Sequence, residues 1–113
     1  EVAGLSLDEL ARTGLDPSEA MERFKVWLTT VARVDGAIVF VGFNAPFDWS
    51  FVNYYFHRFC GGNPFGFTAL DIKALYMGAT GCEWGDTRSS KIAERLKPIL
   101  KGDHQALHDA LYQ

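Results

Sequence analysis

One stretch of the sequence decides the fold: Val41-Gly42-Phe43-Asn44-Ala45-Pro46-Phe47-Asp48-Trp49-Ser50-Phe51-Val52. It ends an apolar segment, residues 37–43, that is rich in β-branched and aromatic side chains and does not alternate with polar ones. This pattern is typical of a strand covered on both faces, as in a parallel sheet. The turn at Asn44 to Pro46 then opens a helix, whose spacing of apolar residues predicts a buried stripe: Phe47, Phe51, Tyr54 and Tyr55.

Asp48 stands in the first turn of that helix. Ligand sites in open α/β sheets lie at the carboxyl ends of the strands, and the positive end of a helix dipole favours negative charge. A carboxylate in this place could hold a hard divalent cation. An acid in a first turn also improves the start of a helix, so position alone leaves both roles open.

The rest of the chain predicts an α/β order of elements. Start and stop signals predict helices over residues 7–13 and from 17 to about 33, the second with this apolar stripe: Ala20, Phe24, Trp27, Leu28 and Val31. A strand is predicted over 67–70, with helices over 71–77, 89–96 and from 103 onward, and a loop over 78–87. Without repeats or linkers, residues 1–113 are expected to form one α/β domain.

Composition excludes several classes of protein. The chain is 48% hydrophobic and 14% aromatic, which is enough for a packed core. Its net charge of −3 argues against a broad surface for gripping duplex nucleic acid. No apolar run is long enough to span a membrane, and no secretion signal opens the sequence. The two separate cysteines, Cys60 and Cys82, suit a reducing compartment, so a cytoplasmic location without a membrane partner is expected.

A second pattern lies near the end: Asp103-His104-Gln105-Ala106-Leu107-His108-Asp109-Ala110-Leu111. Five residues of helix turn the chain by about 140° beyond a full revolution, so His104 and Asp109 converge only if His104 precedes the helix proper. His104 and His108 have the spacing that lets two imidazoles bind one zinc ion. No third nitrogen or sulfur ligand is near, and a solvent-facing His108 is the simpler interpretation.

Together the two patterns resemble a known enzyme family. Asn-Ala-x-Phe-Asp-x-x-Phe-Val is similar to the second motif of DEDDh 3′–5′ exonucleases, the group of ribonuclease T, oligoribonuclease and polymerase proofreading subunits. His-x-Ala-Leu-x-Asp-Ala is similar to their third motif. The resemblance implies that Asp48 and Asp109 are metal ligands, that His104 is a general base and that Asn44 lies beside the substrate. Many members have His before that Asn, where this chain has Phe43.

The resemblance also implies a ribonuclease H-like fold. Residues 70–76 resemble the segment after the family's fifth strand, and residues 89–96 resemble the helix before the third motif. The family's first motif, an Asp-x-Glu on the first strand, is absent. The chain is therefore expected to be a partial exonuclease domain, with helices around a reduced sheet that lacks the first three strands. The strand over residues 37–43 would then have an unpaired edge, which predicts self-association through that strand or the surface beside it.

The implied function is release of nucleoside monophosphates from a single-stranded 3′ end, with DNA and RNA both open as substrates. Two divalent ions, Mg²⁺ or Mn²⁺, would be held by four carboxylates. Because two of the four are absent, little or no activity is expected from this chain alone. Phe43, Phe47 and Trp49 flank the turn and could stack on terminal bases, although Phe47 suits the core equally well. The alternatives are a non-catalytic binding or assembly module and a zinc-binding domain.

Overall fold

The computed structural model of the chain describes residues 6–32, 36–100 and 106–112. Its elements are α1 (Leu7–Thr13), α2 (Pro17–Val31), β1 (Phe40–Gly42), α3 (Ala45–Cys60), β2 (Ala69–Asp71), α4 (Ile72–Thr80), a 3₁₀ helix (Trp84–Thr87), α5 (Ser89–Leu96) and α6 (Ala106–Tyr112). The two strands pair in parallel, so the predicted α/β class is confirmed. Over the described ranges no helix combines the length and the apolar character needed to cross a bilayer.

Local sequence signals place several helix ends correctly. α1 and α5 have the predicted bounds. At the start of α1 the Glu9 N–H donates to Ser6 Oγ at 3.0 Å, as the capping motif predicts. α4 runs to Thr80, so the predicted loop begins later and contains the 3₁₀ helix. The predicted helical residues 33 and 103–105 lie outside the described residues.

The first strand differs from its prediction in length and in cover. β1 has three residues, not the seven of segment 37–43. In its pairing with β2, Phe40 faces Ala69, Val41 faces Leu70 and Gly42 faces Asp71. Successive strand residues point to opposite faces: Gly42 is buried, whereas Val41 is 51% exposed. The expectation of a strand covered on both faces is therefore wrong for the described chain.

The structure divides into two compact units, Leu15–Ile72 and a flanking unit of Glu1–Gly14 with Lys73–Gln113. The Leu15–Ile72 unit holds α2, β1, α3 and β2. Its buried residues include Leu28, Ala45 and Phe56. An aromatic cluster surrounds Phe56, with ring centres 5.2 to 6.4 Å apart; its members are Phe24, Phe40, Trp49, Phe56 and Phe65.

The buried face of α3 is not the predicted one. Phe47, Phe51 and Tyr54 are 64%, 53% and 55% exposed, so their predicted burial is wrong, whereas Tyr55 is half-buried. α3 carries a second apolar row at positions i, i+4, i+7 and i+11, and this row is more buried; it is Ala45, Trp49, Val52 and Phe56. Both rows suit a helix equally well. Packing against α2 and the sheet selects the second.

In α2, the predicted apolar stripe is buried only in part. Leu28 is buried and Phe24 is half-buried against Phe56, with 5.2 Å between ring centres. Trp27 and Val31 are exposed, so their predicted burial is wrong. The predicted apolar stripe of α2 is therefore wider than the face of α2 that is buried.

The flanking unit is held by polar and cation–aromatic contacts. Thr87 is fully buried, and its hydroxyl donates to the Trp84 carbonyl oxygen at 2.7 Å. The Lys73 ammonium lies 4.2 Å from the centre of the Trp84 ring. Arg95 donates to the Tyr76 hydroxyl at 3.5 Å. These contacts join α4, the 3₁₀ helix and α5.

The two cysteines are half-buried free thiols, as the sequence predicts. Burial, followed by the nearby Glu22 carboxylate, raises the pKa of the Cys60 thiol. A thiol with a raised pKa forms the reactive thiolate less readily. The Cys60 thiol is therefore less readily ionised than an ordinary exposed thiol.

Candidate active site

The candidate site begins at the turn between β1 and α3. Asn44 adopts a left-handed backbone conformation, with φ 61° and ψ 45°. Asn is among the few residues other than Gly that enter this region at low cost. The conformation reverses the chain sharply, so α3 starts directly at the end of the strand. Pro46 follows in the first turn of the helix, where a missing N–H costs nothing.

Asp48 lies in the first turn of α3 and is exposed. The sequence therefore placed this carboxylate correctly, at the carboxyl edge of a parallel strand and at the positive end of a helix. Because the Asp48 carboxylate is exposed to solvent, a cation can reach it, either free or bound to a phosphate. This arrangement suits a ligand for a hard divalent ion.

A second carboxylate reaches the same helix start from the neighbouring strand. Asp71 ends β2 and lies opposite Gly42 in the parallel register. Its Oδ1 accepts the N–H of Ala45 at 3.2 Å in a half-buried setting. Sequence reasoning found the segment around Asp71 by resemblance but gave this residue no role. The available signal was its place at the end of the next parallel strand, since the carboxyl ends of such strands share one edge of the sheet.

The three aromatic residues predicted to stack on bases differ in exposure. Phe47 is largely exposed, and its ring meets that of Phe51 edge-on at 5.3 Å. Phe43 is half-buried. Trp49 is half-buried between Phe40 and Phe65, at 5.5 and 6.4 Å. Base stacking by these residues stays a prediction, and Phe47 presents the most open ring for it.

Phe65 is a structural residue that the sequence patterns do not single out, because it lies between the predicted helix that begins after Asn44 and the predicted strand over 67–70. Its N–H donates to Asn63 Oδ1 at 3.0 Å, and Asn63 Nδ2 donates to Asn53 Oδ1 on α3 at 2.9 Å. These bonds hold the loop against α3. Phe65 thereby lies against Trp49 in the second turn of α3, with 6.4 Å between the ring centres.

The third-motif residues lie in the flanking unit. Asp109 is half-buried in the first turn of α6, and His108 precedes it in an exposed position. Each has an interaction within the chain. His104 lies outside the described residues, so its predicted convergence with Asp48 and Asp109 stays a prediction. The same holds for the alternative zinc site at His104 and His108.

Metal-ligating side chains do not cluster in the part of the chain that the structure describes. No group of three or more His, Cys, Asp or Glu side chains lies close enough there to hold a metal ion. The role of Asp48 and Asp109 as metal ligands therefore stays a prediction.

Comparison with known proteins shows which protein the chain is similar to. No model of a known protein family matches the chain. Over all of its 113 residues the chain is 58% identical to the "3′-5′ DNA exonuclease Cap18" of Escherichia coli. The chain is a homologue of a 3′–5′ DNA exonuclease. The resemblance to 3′–5′ exonucleases that the two motifs indicated is confirmed. The chain spans 60% of the length of this exonuclease relative.

Proposed function

We propose that this chain forms part of a 3′–5′ exonuclease of the DEDDh type, with a ribonuclease H-like fold, that releases nucleoside monophosphates from a single-stranded 3′ end. DNA is the proposed substrate, because the relative is named a DNA exonuclease. One observation carries the proposal. In a chain 58% identical to an exonuclease, Asp48 stands exposed at the start of α3 and at the carboxyl edge of two parallel strands.

The proposed chemistry divides among three side chains. Asp48 and Asp109 each contribute a carboxylate to a pair of divalent ions, Mg²⁺ or Mn²⁺. When bound, such ions supply stabilisation of the charge that develops on the scissile phosphate. His104 accepts the proton of the attacking water, for which a neutral imidazole is suited near neutral pH.

Substrate contacts are proposed for the residues around the turn. Asn44 is exposed, and its side chain makes no capping hydrogen bond to α3, so its amide can bond to the terminal nucleotide. Phe47 offers an open ring on which a base can stack. Phe43 and Trp49, which are half-buried, are proposed as further residues for base stacking.

The 113 residues alone are proposed to be inactive or nearly so. The mechanism needs four carboxylates, and the two motifs supply two, Asp48 and Asp109. The relative is longer and has residues without a counterpart in this chain. We propose that such residues carry the missing Asp-x-Glu.

A nuclease assay tests this proposal on two forms of the protein. The first is this chain; the second, the extended chain, joins it to the relative's unmatched residues in the relative's own order. Each is incubated with a single-stranded DNA oligonucleotide and Mg²⁺, with EDTA as the metal-free control. The expected result is release of mononucleotides by the extended chain alone, and only with metal.

Two matched substitutions test whether the activity depends on the Asp48 carboxylate. In the extended chain, Asp48→Asn is expected to lower kcat by about a hundredfold or more, because a metal centre supplies several kcal/mol of charge stabilisation. Asp8→Asn, which alters another exposed carboxylate in a first helical turn, is expected to leave kcat unchanged. An extended chain without metal-dependent release would contradict the function. Robust release of mononucleotides by the 113-residue chain alone would contradict the proposal that its catalytic site is incomplete.

A specific observation supports a second role, self-association. Among the described strands β1 pairs only with β2, and Val39 and Val41 on or beside it are exposed. A strand edge without a neighbour is a template for pairing with another chain. We infer that copies of this chain associate through β1 and the surface beside it. A purely monomeric species in light scattering at high concentration would contradict this.

A further inference from the structure

The start of α3 satisfies its hydrogen-bond donors in an unusual way. The first N–H groups of a helix have no partner inside it, and the N-cap side chain commonly accepts one of them. In α3 the Phe47 N–H donates to the Asn44 carbonyl oxygen at 3.0 Å, and Pro46 has no N–H. The Ala45 N–H remains, and it donates to Asp71 Oδ1 at 3.2 Å. The helix is therefore capped from another strand.

The N-caps of α1 and α2, Ser6 and Asp16, behave differently. Ser6 accepts from the Glu9 N–H at 3.0 Å, and Asp16 accepts from the Ser18 N–H at 2.9 Å. Hydrogen bonds from the Ser18 hydroxyl and N–H hold the pKa of the Asp16 carboxyl below its usual value. Both helices are thus capped by the residue that immediately precedes them.

Asn44 has the same capping capacity as those residues but does not use it. Asn is among the strongest N-cap residues, and a capping residue normally has an extended backbone. Asn44 is left-handed instead, with φ 61°. The conformation that removes Asn44 from the cap also keeps its side chain exposed at the turn. Because Asp71 accepts the Ala45 N–H, Asn44 can adopt this conformation without leaving that donor unsatisfied.

The register of the sheet makes Asp71 that cap. Gly42 and Asp71 are partners in the parallel pair, so Asp71 ends its strand beside the turn that follows Gly42. Asp71 joins the first residue of α3 to β2, and Asp48 lies three residues further along the same helix. The position of the Asp48 carboxylate therefore depends on this bond.

We propose that Asp71 is a positioning residue of the exonuclease site: its bond to the Ala45 N–H frees the Asn44 amide for substrate and fixes where Asp48 projects. This inference rests on the proposed function, because only that function makes Asn44 and Asp48 parts of a catalytic site. It extends that function to a residue outside both motifs, and it makes Asn44 and Asp48 a coupled pair.

The first test does not require enzymatic activity. In the 113-residue chain, Asp71→Ala is expected to move Asn44 from the left-handed region to an extended backbone, with its own side chain as the cap. The backbone ¹³C chemical shifts of Asn44, which report φ and ψ, measure this. Asp71→Asn keeps an acceptor oxygen and is expected to leave those shifts near wild type. A left-handed Asn44 in a folded Asp71→Ala chain would overturn the proposal, whatever the activity.

The second test uses the extended chain. Displacement of a reacting group by about 1 Å can cost a hundredfold in rate, so Asp71→Ala is expected to lower kcat by about tenfold to a hundredfold and also to raise KM. Asp71→Asn is expected to restore kcat to within about threefold. Asp16→Ala is the control, because it removes the local cap of α2 in the same unit; it should lower the melting temperature and leave kcat unchanged.

The outcomes separate the inference from the function. An inactive unmutated extended chain contradicts the proposed function, and the Asn44 shifts still decide the role of Asp71. An active enzyme that keeps its kcat in folded Asp71→Ala, while its melting temperature falls as in Asp16→Ala, would show a cap with no role in catalysis and overturn the inference.

Discussion

The two units of the chain are built in different ways. The Leu15–Ile72 unit has apolar buried residues and an aromatic cluster centred on Phe56, which is fully buried. In the flanking unit the fully buried residue among those described is polar, Thr87. Its helices α1 and α6 have seven residues each and bury none of them. Helices this short depend on tertiary packing for their stability.

This difference bears on how the proposed site residues of each unit are held. Asn44, Asp48 and Asp71 belong to the unit with the apolar core, where the ring of Phe65 contacts that of Trp49 on α3. Asp109 stands on α6, which has no buried residue of its own. We therefore expect the second-motif residues to be held in place by their own unit, and Asp109 to depend on further contacts.

The largest expected effect tests the core of the Leu15–Ile72 unit. Phe56→Ala should lower the free energy of unfolding by about 3–5 kcal/mol, the usual cost of removing a fully buried ring. Phe51→Ala removes the same side chain from an exposed position of the same helix and should cost about 1 kcal/mol or less. Urea unfolding followed by circular dichroism gives both values. Equal losses would contradict the assignment of the buried face of α3.

A smaller effect is expected at the strand edge of the same unit. Val41→Lys places a charge on β1, and charged side chains block edge pairing. It should weaken self-association by about tenfold, or about 1.4 kcal/mol, in sedimentation equilibrium. Val26→Lys makes the same change at another exposed valine, on α2, and should have no effect. Equal weakening by both variants would remove β1 from the interface.

The sequence predicts best where the signals are local. α1 begins after Ser6 and ends before Gly14, and each of these residues makes its capping bond within the same helix. Such bonds need no information from elsewhere in the chain. The bounds of α1 and α5 are accordingly correct.

The sequence predicts poorly where two answers suit the same local pattern. α3 is apolar on two faces, and the choice between the Phe47 face and the Phe56 face depends on α2 and the sheet. The position of Asp48 was predictable, because strand, turn and helix follow one another directly. The role of Asp71 was not, because it depends on the register that sets Asp71 opposite Gly42.

A Mn²⁺ titration of the extended chain, followed by the paramagnetic broadening of its amide NMR signals, tests directly whether Asp48 and Asp109 share a cation site. The signals of Asp48 and Asp109 are expected to broaden over the same range of Mn²⁺ concentration, and Asp48→Asn is expected to remove the broadening at Asp109 as well. Broadening at Asp109 that survives Asp48→Asn, or none at either residue, would contradict a shared cation site.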